Sequence, residues 1–338
     1  MLNEEFYRPL GRSGLQVSPI CLGSDNFANP TPEKESIEIL NCAVTNGINL
    51  IDTANGYADG RSEEIIGKFM QESDCRDDVI LTTKFYYGTG NKGINDKGAS
   101  RKHIIKACED SLKRLKTDYI DIYQTHRVCM NTPLEETLGA LTDLQRQGKI
   151  RYAGSTTSPS WKITEASMLA DYKGLIRMVS EQLPYNLLDR RVENEILPAA
   201  NAAGLAVFVW SPLAMGLLSG RYDSANPDSF NTARFNRGGI YAERITKKAA
   251  DAGQAFVAIA RTYGLEPAHL ALLWVKDQPH VTAPLCGPRT LAQLQDVLPV
   301  MEMSLTDEMR QSCDELIPPG SAIANFLNSA PWMKGKLL

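Results

Sequence analysis

Eight short apolar runs recur along the chain, and amphipathic stretches with helical spacing separate them. They lie at residues 20–22, 48–51, 79–83, 119–124, 150–154, 178–183, 205–210 and 281–286. Runs of this kind are typical of strands that are buried on both faces of a parallel sheet. Strands that alternate with helices form right-handed βαβ units, and eight such units can close on themselves. The pattern therefore predicts an α/β fold, a (β/α)8 TIM barrel.

The barrel is expected to form one domain over residues 1–338, with additions at both ends. Residues 1–18 contain two short strand-like runs around the turn Gly11-Arg12-Ser13-Gly14, which predicts an N-terminal β-hairpin acting as a lid. Residues 318–338 form a C-terminal tail. Long irregular stretches follow the third and seventh runs, at residues 87–98 and from 211 to 239. Both leave the strands at the C-terminal face, where barrel enzymes carry their sites.

Composition excludes several classes of protein. The net charge is −4 and no long basic block is present, so phosphate contacts to nucleic acid are not expected. No apolar stretch approaches the length of a membrane span, and the N-terminus lacks the positive region of a secretory signal. The seven scattered cysteines favour free thiols in the cytoplasm, and no His/Cys cluster predicts a metal site. Cys129 is either a reactive thiol or, more simply, an inert loop cysteine.

Four polar residues follow the second, third and fourth runs at their C-terminal ends. Asp52 and Tyr57 follow the second run, Lys84 the third and His126 the fourth. The C-terminal ends of parallel strands meet at one face of a barrel, so the four side chains are expected to converge. Taken singly, each has a plain structural interpretation: a helix cap, a loop aromatic, a solvated lysine and a hydrogen-bonding histidine.

Together these groups suit the protonation of a carbonyl. A tyrosine is a poor acid at neutral pH, but an adjacent ammonium favours the phenolate, so Lys84 is expected to lower the pKa of Tyr57. Asp52 would hold Lys84 and offset the cost of burying its charge. A neutral His126 can donate a hydrogen bond to the substrate oxygen. A separate group must then supply a hydride.

The chain resembles the aldo-keto reductase family over nearly its whole length. The resemblance is carried by YRPLGRSGLQVSPICLG, GINLIDTANGYADGRSEEIIGK, ILTTKF, TDYIDIYQTH, QGKIRYAGS, EQLPYNLLDR, WSPLAMGLLSGRY and GPRTLAQL, which occur in the family's order. It implies that Asp52, Tyr57, Lys84 and His126 are the catalytic tetrad. Tyr57 would be the general acid, and a nicotinamide cofactor, usually NADPH, would be the hydride source.

The resemblance also implies a set of cofactor contacts. Thr156, Thr157 and Gln182 would hold the nicotinamide carboxamide, and Trp210 would stack on the ring. The loop that covers the pyrophosphate would begin at Ser211, and Arg289 would pair with a 2′-phosphate. The full set implied is Thr156, Thr157, Gln182, Trp210, Ser211, Pro212, Leu213, Gly216, Leu218, Arg221, Gly287, Arg289 and Gln293, with Arg234 as a further candidate for the pyrophosphate.

Two positions depart from the family's pattern. Thr156 and Thr157 replace the usual serine and asparagine, so the second position lacks the amide that would meet the carboxamide. Val297 stands where many members have an asparagine near the adenine. The nicotinamide and adenine contacts are therefore expected to differ in detail.

The predicted activity is NADPH-dependent reduction of an aldehyde or ketone to the alcohol. Asn26, Phe27, Tyr86 and Arg127 are the predicted substrate contacts, and their mixture of aromatic and polar groups suits an aromatic carbonyl or a keto-sugar. The sequence leaves the physiological substrate and the oligomeric state open.

Two other functions stay open. One is an NADPH-binding redox-sensing regulatory subunit with slow turnover, like the potassium-channel β subunits; the short stretch before the hairpin disfavours it. The other is a barrel with unrelated chemistry that needs no cofactor.

Overall fold

A closed barrel of eight parallel strands forms the centre of the protein in the computed structural model, which describes residues 2–90, 93–232 and 235–328. Neighbouring strands follow the chain order, and the last strand pairs with the first. The (β/α)8 barrel predicted from the eight runs is therefore confirmed. The barrel strands are β3 (Cys21–Gly23), β4 (Leu50–Asp52), β5 (Ile80–Phe85), β6 (Ile120–Thr125), β7 (Ile150–Thr156), β8 (Met178–Pro184), β9 (Ala206–Trp210) and β10 (Ala283–Cys286).

A hairpin precedes the barrel, as predicted. Its strands, β1 (Arg8–Pro9) and β2 (Gln16–Val17), pair antiparallel. Leu10 and Val17 are fully buried and pack with side chains of the barrel interior. The amide of Arg12 donates to the carbonyl of Gly204, which precedes β9. The hairpin therefore covers the N-terminal end of the barrel, opposite to the face where parallel barrels carry their sites.

Helices form an outer layer around the strands. Their apolar faces pack on outward-facing strand residues, while the inward-facing residues fill the barrel, because side chains alternate along a strand. The helices are α1 (Glu33–Thr45), α2 (Arg61–Ser73), α3 (Arg101–Leu115), α4 (Leu134–Arg146), α5 (Ser160–Lys173), α6 (Ile196–Ala202), α7 (Ile240–Arg244), α8 (Lys247–Thr262), α9 (Pro267–Lys276), α10 (Leu291–Val297) and α11 (Asp307–Leu316). Within the described ranges, no helix has the length and apolarity to cross a membrane.

The described part of the C-terminal tail packs against the loop after β8. The amides of Phe326 and Leu327 donate to Oδ2 of Asp189, at 2.7 and 2.8 Å. Phe326 is buried, so this part of the tail belongs to the core. Residues 329–338, which include Pro331 and Trp332, lie outside the described residues, as does Arg234.

Candidate active site

The four predicted catalytic residues lie together at the C-terminal face of the barrel. Asp52 is the last residue of β4, Lys84 lies near the end of β5, and His126 follows β6 directly. Tyr57 begins a short 3-10 turn after β4. Asp52, Tyr57 and His126 line a cleft of about 600 Å³.

Lys84 is the centre of the buried polar cluster. Its side chain is fully buried, and Nζ lies 2.5 Å from Oδ2 of Asp52 and 2.9 Å from the carbonyl oxygen of Thr53. The same Nζ lies 3.4 Å from Oη of Tyr57. A buried ammonium is stable only with partners of this kind. The lysine is thus held where it contacts the tyrosine hydroxyl.

The pKa of Tyr57 is raised overall, although the ammonium of Lys84 was expected to lower it. Burial raises the pKa of Tyr57 well above its ordinary value, and the nearby charges of Asp52 and Asp25 raise it further. Asp52 offsets the positive charge of Lys84, so the ammonium does not outweigh the cost of desolvating a phenolate. The phenol therefore keeps its proton at neutral pH, which is the form that a general acid needs.

His126 is buried beside Tyr57. Burial lowers its pKa well below the ordinary value, and the positive charges of Arg127 and Lys84 act in the same direction. Its ring meets those of Tyr57 and Tyr87 edge to face, with centroids 5.6 and 5.1 Å apart. The imidazole is therefore neutral near pH 7, and one of its ring nitrogens carries a hydrogen that can be donated.

The amide side chain of Gln182 supports the charged pair, and a second buried amide, Gln124, binds Thr156. Nε2 of Gln182 on β8 donates to Oδ1 of Asp52 at 2.8 Å. Thr156 on β7 donates to Oε1 of Gln124 at 3.3 Å. Burial raises the pKa of Asp52, while Lys84 and Gln182 oppose that shift by stabilising the carboxylate. Both oxygens of Asp52 are therefore used to hold the site together.

Most of the predicted cofactor contacts line the same cleft. These are Thr156, Gln182, Trp210, Ser211, Pro212, Leu213, Gly216, Arg221, Gly287, Arg289 and Gln293. Two do not. Leu218 is buried in the core beneath α8, because its apolar side chain turns away from solvent. Thr157 is also buried and has a left-handed φ of 57° in the turn after β7.

The predicted substrate contacts divide in the same way. Asn26 and Arg127 line the cleft, and Asn26 donates to the carbonyl of Gly287 at 2.8 Å. Tyr86 is partly buried, with a φ of 144°. Phe27 is fully buried in the core between strands and helices, so its side chain does not reach the cleft. A large apolar ring next to Asn26 is stabilised more by packing than by exposure at the mouth.

Sequence reasoning missed the residues that the long interval after β9 adds to the cleft. Met215 and Ser219, within the motif at 210–222, line it without having been predicted, and Ile240, Tyr241 and Arg244 line it outside any of the quoted motifs. The guanidinium of Arg244 lies over the ring of Trp210, 5.4 Å from its centroid, and over the ring of Phe326, 5.2 Å from its centroid. Burial lowers the pKa of Arg244 to about 10. The length of the interval was the available signal, but it does not say which residues turn inward.

Cys129 is the other candidate for chemistry that the sequence raised. Cys129 is partly buried, and its Sγ lies 3.4 Å from Oγ1 of Thr132. All seven cysteines are free thiols. In the part of the chain that the structure describes, no group of three or more His, Cys, Asp or Glu side chains is arranged to hold a metal ion.

Comparisons with known proteins agree with this geometry. Residues 19–318 match the aldo/keto reductase family. The chain is 39% identical over 323 residues to the uncharacterized oxidoreductase YrpG of Bacillus subtilis (strain 168), covering 93% of this chain and 97% of that protein. It is 35% identical to a probable voltage-gated potassium channel subunit beta of Arabidopsis thaliana and 34% identical to protein tas of Escherichia coli (strain K12), covering 90% of this chain and 95% of the relative in each case. The chain therefore belongs to the aldo/keto reductase family and is of the oxidoreductase type.

Proposed function

We propose that the protein is an NADPH-dependent reductase that converts an aldehyde or ketone to the alcohol, with Tyr57 as the general acid. One observation carries the proposal: Nζ of Lys84 lies 2.5 Å from Asp52 and 3.4 Å from the hydroxyl of Tyr57, at the base of a cleft. A partly buried phenol, a buried ion pair and a neutral imidazole have few structural reasons to converge, and perturbed groups of this kind cluster at catalytic sites.

Tyr57 holds the proton that the product alcohol needs. Because its pKa is raised, the phenol is protonated until charge develops on the substrate oxygen. As the proton leaves, negative charge forms on Oη, and the ammonium of Lys84 is placed to stabilise it. Asp52 keeps the lysine in position throughout. Proton transfer from a positioned side chain typically contributes about 10²- to 10⁴-fold to the rate.

His126 orients the substrate oxygen. Its ring is neutral and packs against Tyr57, so a hydrogen bond from a ring nitrogen and one from the phenol can reach the same oxygen. A guanidinium nitrogen of Arg127 donates to the backbone carbonyl of His126 at 2.6 Å, and Nε donates to the hydroxyl of Tyr87 at 2.9 Å. These bonds hold the strand end that carries the histidine.

The cleft fits a nicotinamide dinucleotide by its size and its polar groups. A volume of about 600 Å³ lies within the ordinary range for cofactor sites. Trp210 lies in the cleft wall, and its buried indole Nε1 has no hydrogen-bond partner among the described residues. Arg289 lies near the other end, where its backbone amide donates to Oε1 of Gln293 at 2.9 Å. When bound, the reduced nicotinamide supplies the hydride.

NADPH is proposed over NADH because of Arg289. A guanidinium forms paired, charge-assisted hydrogen bonds with a phosphate, which NADH lacks at its ribose 2′ position. Gln293 supports the Arg289 backbone and lies beside it in the cleft. A cytoplasmic location is proposed with it, since seven free thiols suit a reducing compartment.

The substrate is a small carbonyl compound, and the mouth favours one with an aromatic or hydroxylated body. Asn26 and Arg127 offer hydrogen bonds there, and Tyr87 is partly exposed next to His126. A keto-sugar or an aromatic aldehyde meets both kinds of surface. The test is a panel of carbonyl compounds with NADPH, followed at 340 nm. Sustained turnover of at least one class supports the proposal, and NADPH binding without turnover of any compound rejects it.

A second function is an NADPH-binding redox-sensing regulatory subunit with slow turnover. Its support is the similarity to proteins named as voltage-gated potassium channel subunit beta in Arabidopsis thaliana and in Oryza sativa subsp. japonica. The same panel separates the two functions. A regulatory subunit is expected to complete few turnovers per minute with every substrate while binding the cofactor tightly.

A further inference from the structure

Glu181 is a buried carboxylate that the proposed mechanism does not use. It lies on β8 directly before Gln182 and is fully buried. Because side chains alternate along a strand, Gln182 points into the barrel towards Asp52 and Glu181 points to the opposite side, under the turn that follows β7. Removing a carboxylate from water costs free energy unless hydrogen bonds compensate, so the hydrogen-bond partners of Glu181 need an explanation.

Those hydrogen bonds all go to one short segment. Oε1 of Glu181 accepts from the backbone amide of Ser158 at 2.7 Å, and Oε2 accepts from the hydroxyl of Ser155. Burial raises the pKa of Glu181 to about 7, while the groups of Ser155, Ser158 and Thr157 oppose the shift by stabilising the carboxylate. Glu181 therefore spans the turn between β7 and α5.

The segment that Glu181 holds is strained. Thr157 has a φ of 57°, a conformation that is uncommon for a β-branched residue and persists only when its surroundings enforce it. The amide of Thr157 donates to the carbonyl of Gln182 at 2.7 Å, and the next amide, of Ser158, donates to Glu181. Two consecutive residues of β8 thus hold two consecutive amides of the turn.

This arrangement fixes the end of β7 that carries Thr156. Thr156 pairs in register with Gln182, and both line the cleft, whereas Thr157 lies in the turn just past the end of β7. We propose that Glu181 is a positioning residue, whose carboxylate holds the 155–158 turn so that Thr156 and Gln182 together form the nicotinamide end of the cofactor site.

The inference rests on the proposed NADPH-binding function and is tested by comparing two ligands. NADPH reaches both ends of the site, whereas adenosine 2′,5′-bisphosphate reaches only the end near Arg289. Glu181→Met fills a similar volume without hydrogen-bond acceptors. We expect it to weaken NADPH about 10-fold or more and to leave adenosine 2′,5′-bisphosphate within about twofold, both measured by titration calorimetry.

The conservative variant Glu181→Gln distinguishes a positioning role of the side chain from a general disturbance of the fold. In Glu181→Gln, the amide oxygen accepts from Ser158 and the amide nitrogen donates to Ser155, so NADPH affinity should stay within about threefold of the unmodified protein. Asp121→Asn is the matched control. That buried carboxylate near the start of β6 pairs with Arg76 at 2.8 Å, away from the cleft, and its loss should not change the ratio of the two affinities.

Several outcomes overturn the role of Glu181. Equal loss of both ligands in Glu181→Met, or unchanged NADPH affinity, rejects it while the proposed function stands. Failure of the unmodified protein to bind NADPH rejects both. If circular dichroism shows that Glu181→Met does not fold, Ser155→Ala decides, because it removes one hydrogen bond and keeps the carboxylate. Selective weakening of NADPH in that variant supports the role, and unchanged affinity rejects it.

Discussion

Gln182 on β8 donates a hydrogen bond of 2.8 Å to Oδ1 of Asp52 on β4, although 130 residues separate them along the chain. The other oxygen of that carboxylate accepts from Lys84. Asp52 therefore connects the proposed proton site with the strand that carries Gln182 and Glu181. A change at the nicotinamide end of the cleft can thus reach the proton donor through a single carboxylate.

Replacing Asp52 by leucine should destabilise the protein strongly. Lys84 would keep a buried charge without its acid partner, and breaking a buried pair typically costs about 3–5 kcal/mol. Urea denaturation measures the free energy of unfolding. The double variant Asp52→Leu/Lys84→Met removes both charges and should recover much of the loss, while carbonyl reduction stays abolished. A single variant as stable as the unmodified protein contradicts the pairing.

Tyr57→Phe should lower kcat by at least about 10²-fold and leave NADPH affinity nearly unchanged, since it removes only the proton that the general acid donates. Steady-state kinetics and a fluorescence titration measure the two quantities. Tyr87→Phe is the matched control, because it removes a hydroxyl that binds Arg127 beside the same histidine. It should reduce kcat far less. Near-normal turnover by Tyr57→Phe would contradict the role of Tyr57 as the general acid.

Arg289→Ala should weaken NADPH by about 1–3 kcal/mol and NADH much less, because a charge-assisted bond to the 2′-phosphate is lost. Titration calorimetry with both cofactors gives the difference. Arg221→Ala provides the comparison, since Arg221 lines the cleft near Gly216 in the loop proposed to cover the pyrophosphate. It should weaken the two cofactors alike. Equal losses in Arg289→Ala reject the 2′-phosphate role.

The stability of the protein should fall in mild acid partly because of His126. Its pKa in the folded state is depressed below the ordinary 6.5. At a pH between the two pKa values, the unfolded chain therefore binds a proton that the folded chain does not bind. The free energy of unfolding therefore falls as the pH drops below about 6.5, towards the lower folded pKa.

His126→Gln, which does not titrate, should lose less stability than the unmodified protein between about pH 7 and pH 5. Urea denaturation at each pH measures the difference. Glu181, with its raised pKa, contributes with the opposite sign in both proteins, so it cancels from the comparison. Identical pH profiles for the two proteins would show that His126 is not buried in its neutral form.

Much of the architecture follows from local patterns in the chain. The eight apolar runs mark the eight barrel strands to within a few residues at each end. Asp52, Lys84 and His126 stand at or near the ends of three successive strands, so their convergence follows from parallel pairing alone. A periodic pattern of apolar residues indicates which positions are buried. A position at the C-terminal end of a strand indicates that a residue lies at the C-terminal face of the barrel.

Individual side-chain directions were harder to predict. Phe27 and Leu218 lie next to cleft residues in the chain, yet both turn into the core, because packing an apolar side chain outweighs its nearness to the site. Thr157 takes a left-handed backbone that no propensity for threonine suggests. The next amide, of Ser158, donates to the carboxylate of Glu181, which lies 24 residues beyond Thr157 along the chain.

The sequence by itself determined the barrel, the hairpin and the set of polar residues at the C-terminal face, because burial periodicity and strand ends are local properties. Only the tertiary structure decided the charge state of that set. Burial raises the pKa of Tyr57 although an ammonium lies 3.4 Å away, since Asp52 offsets that ammonium and neighbouring protein groups replace part of the water around the phenol. Desolvation depends on every neighbour in three dimensions, and most of those neighbours come from distant parts of the chain.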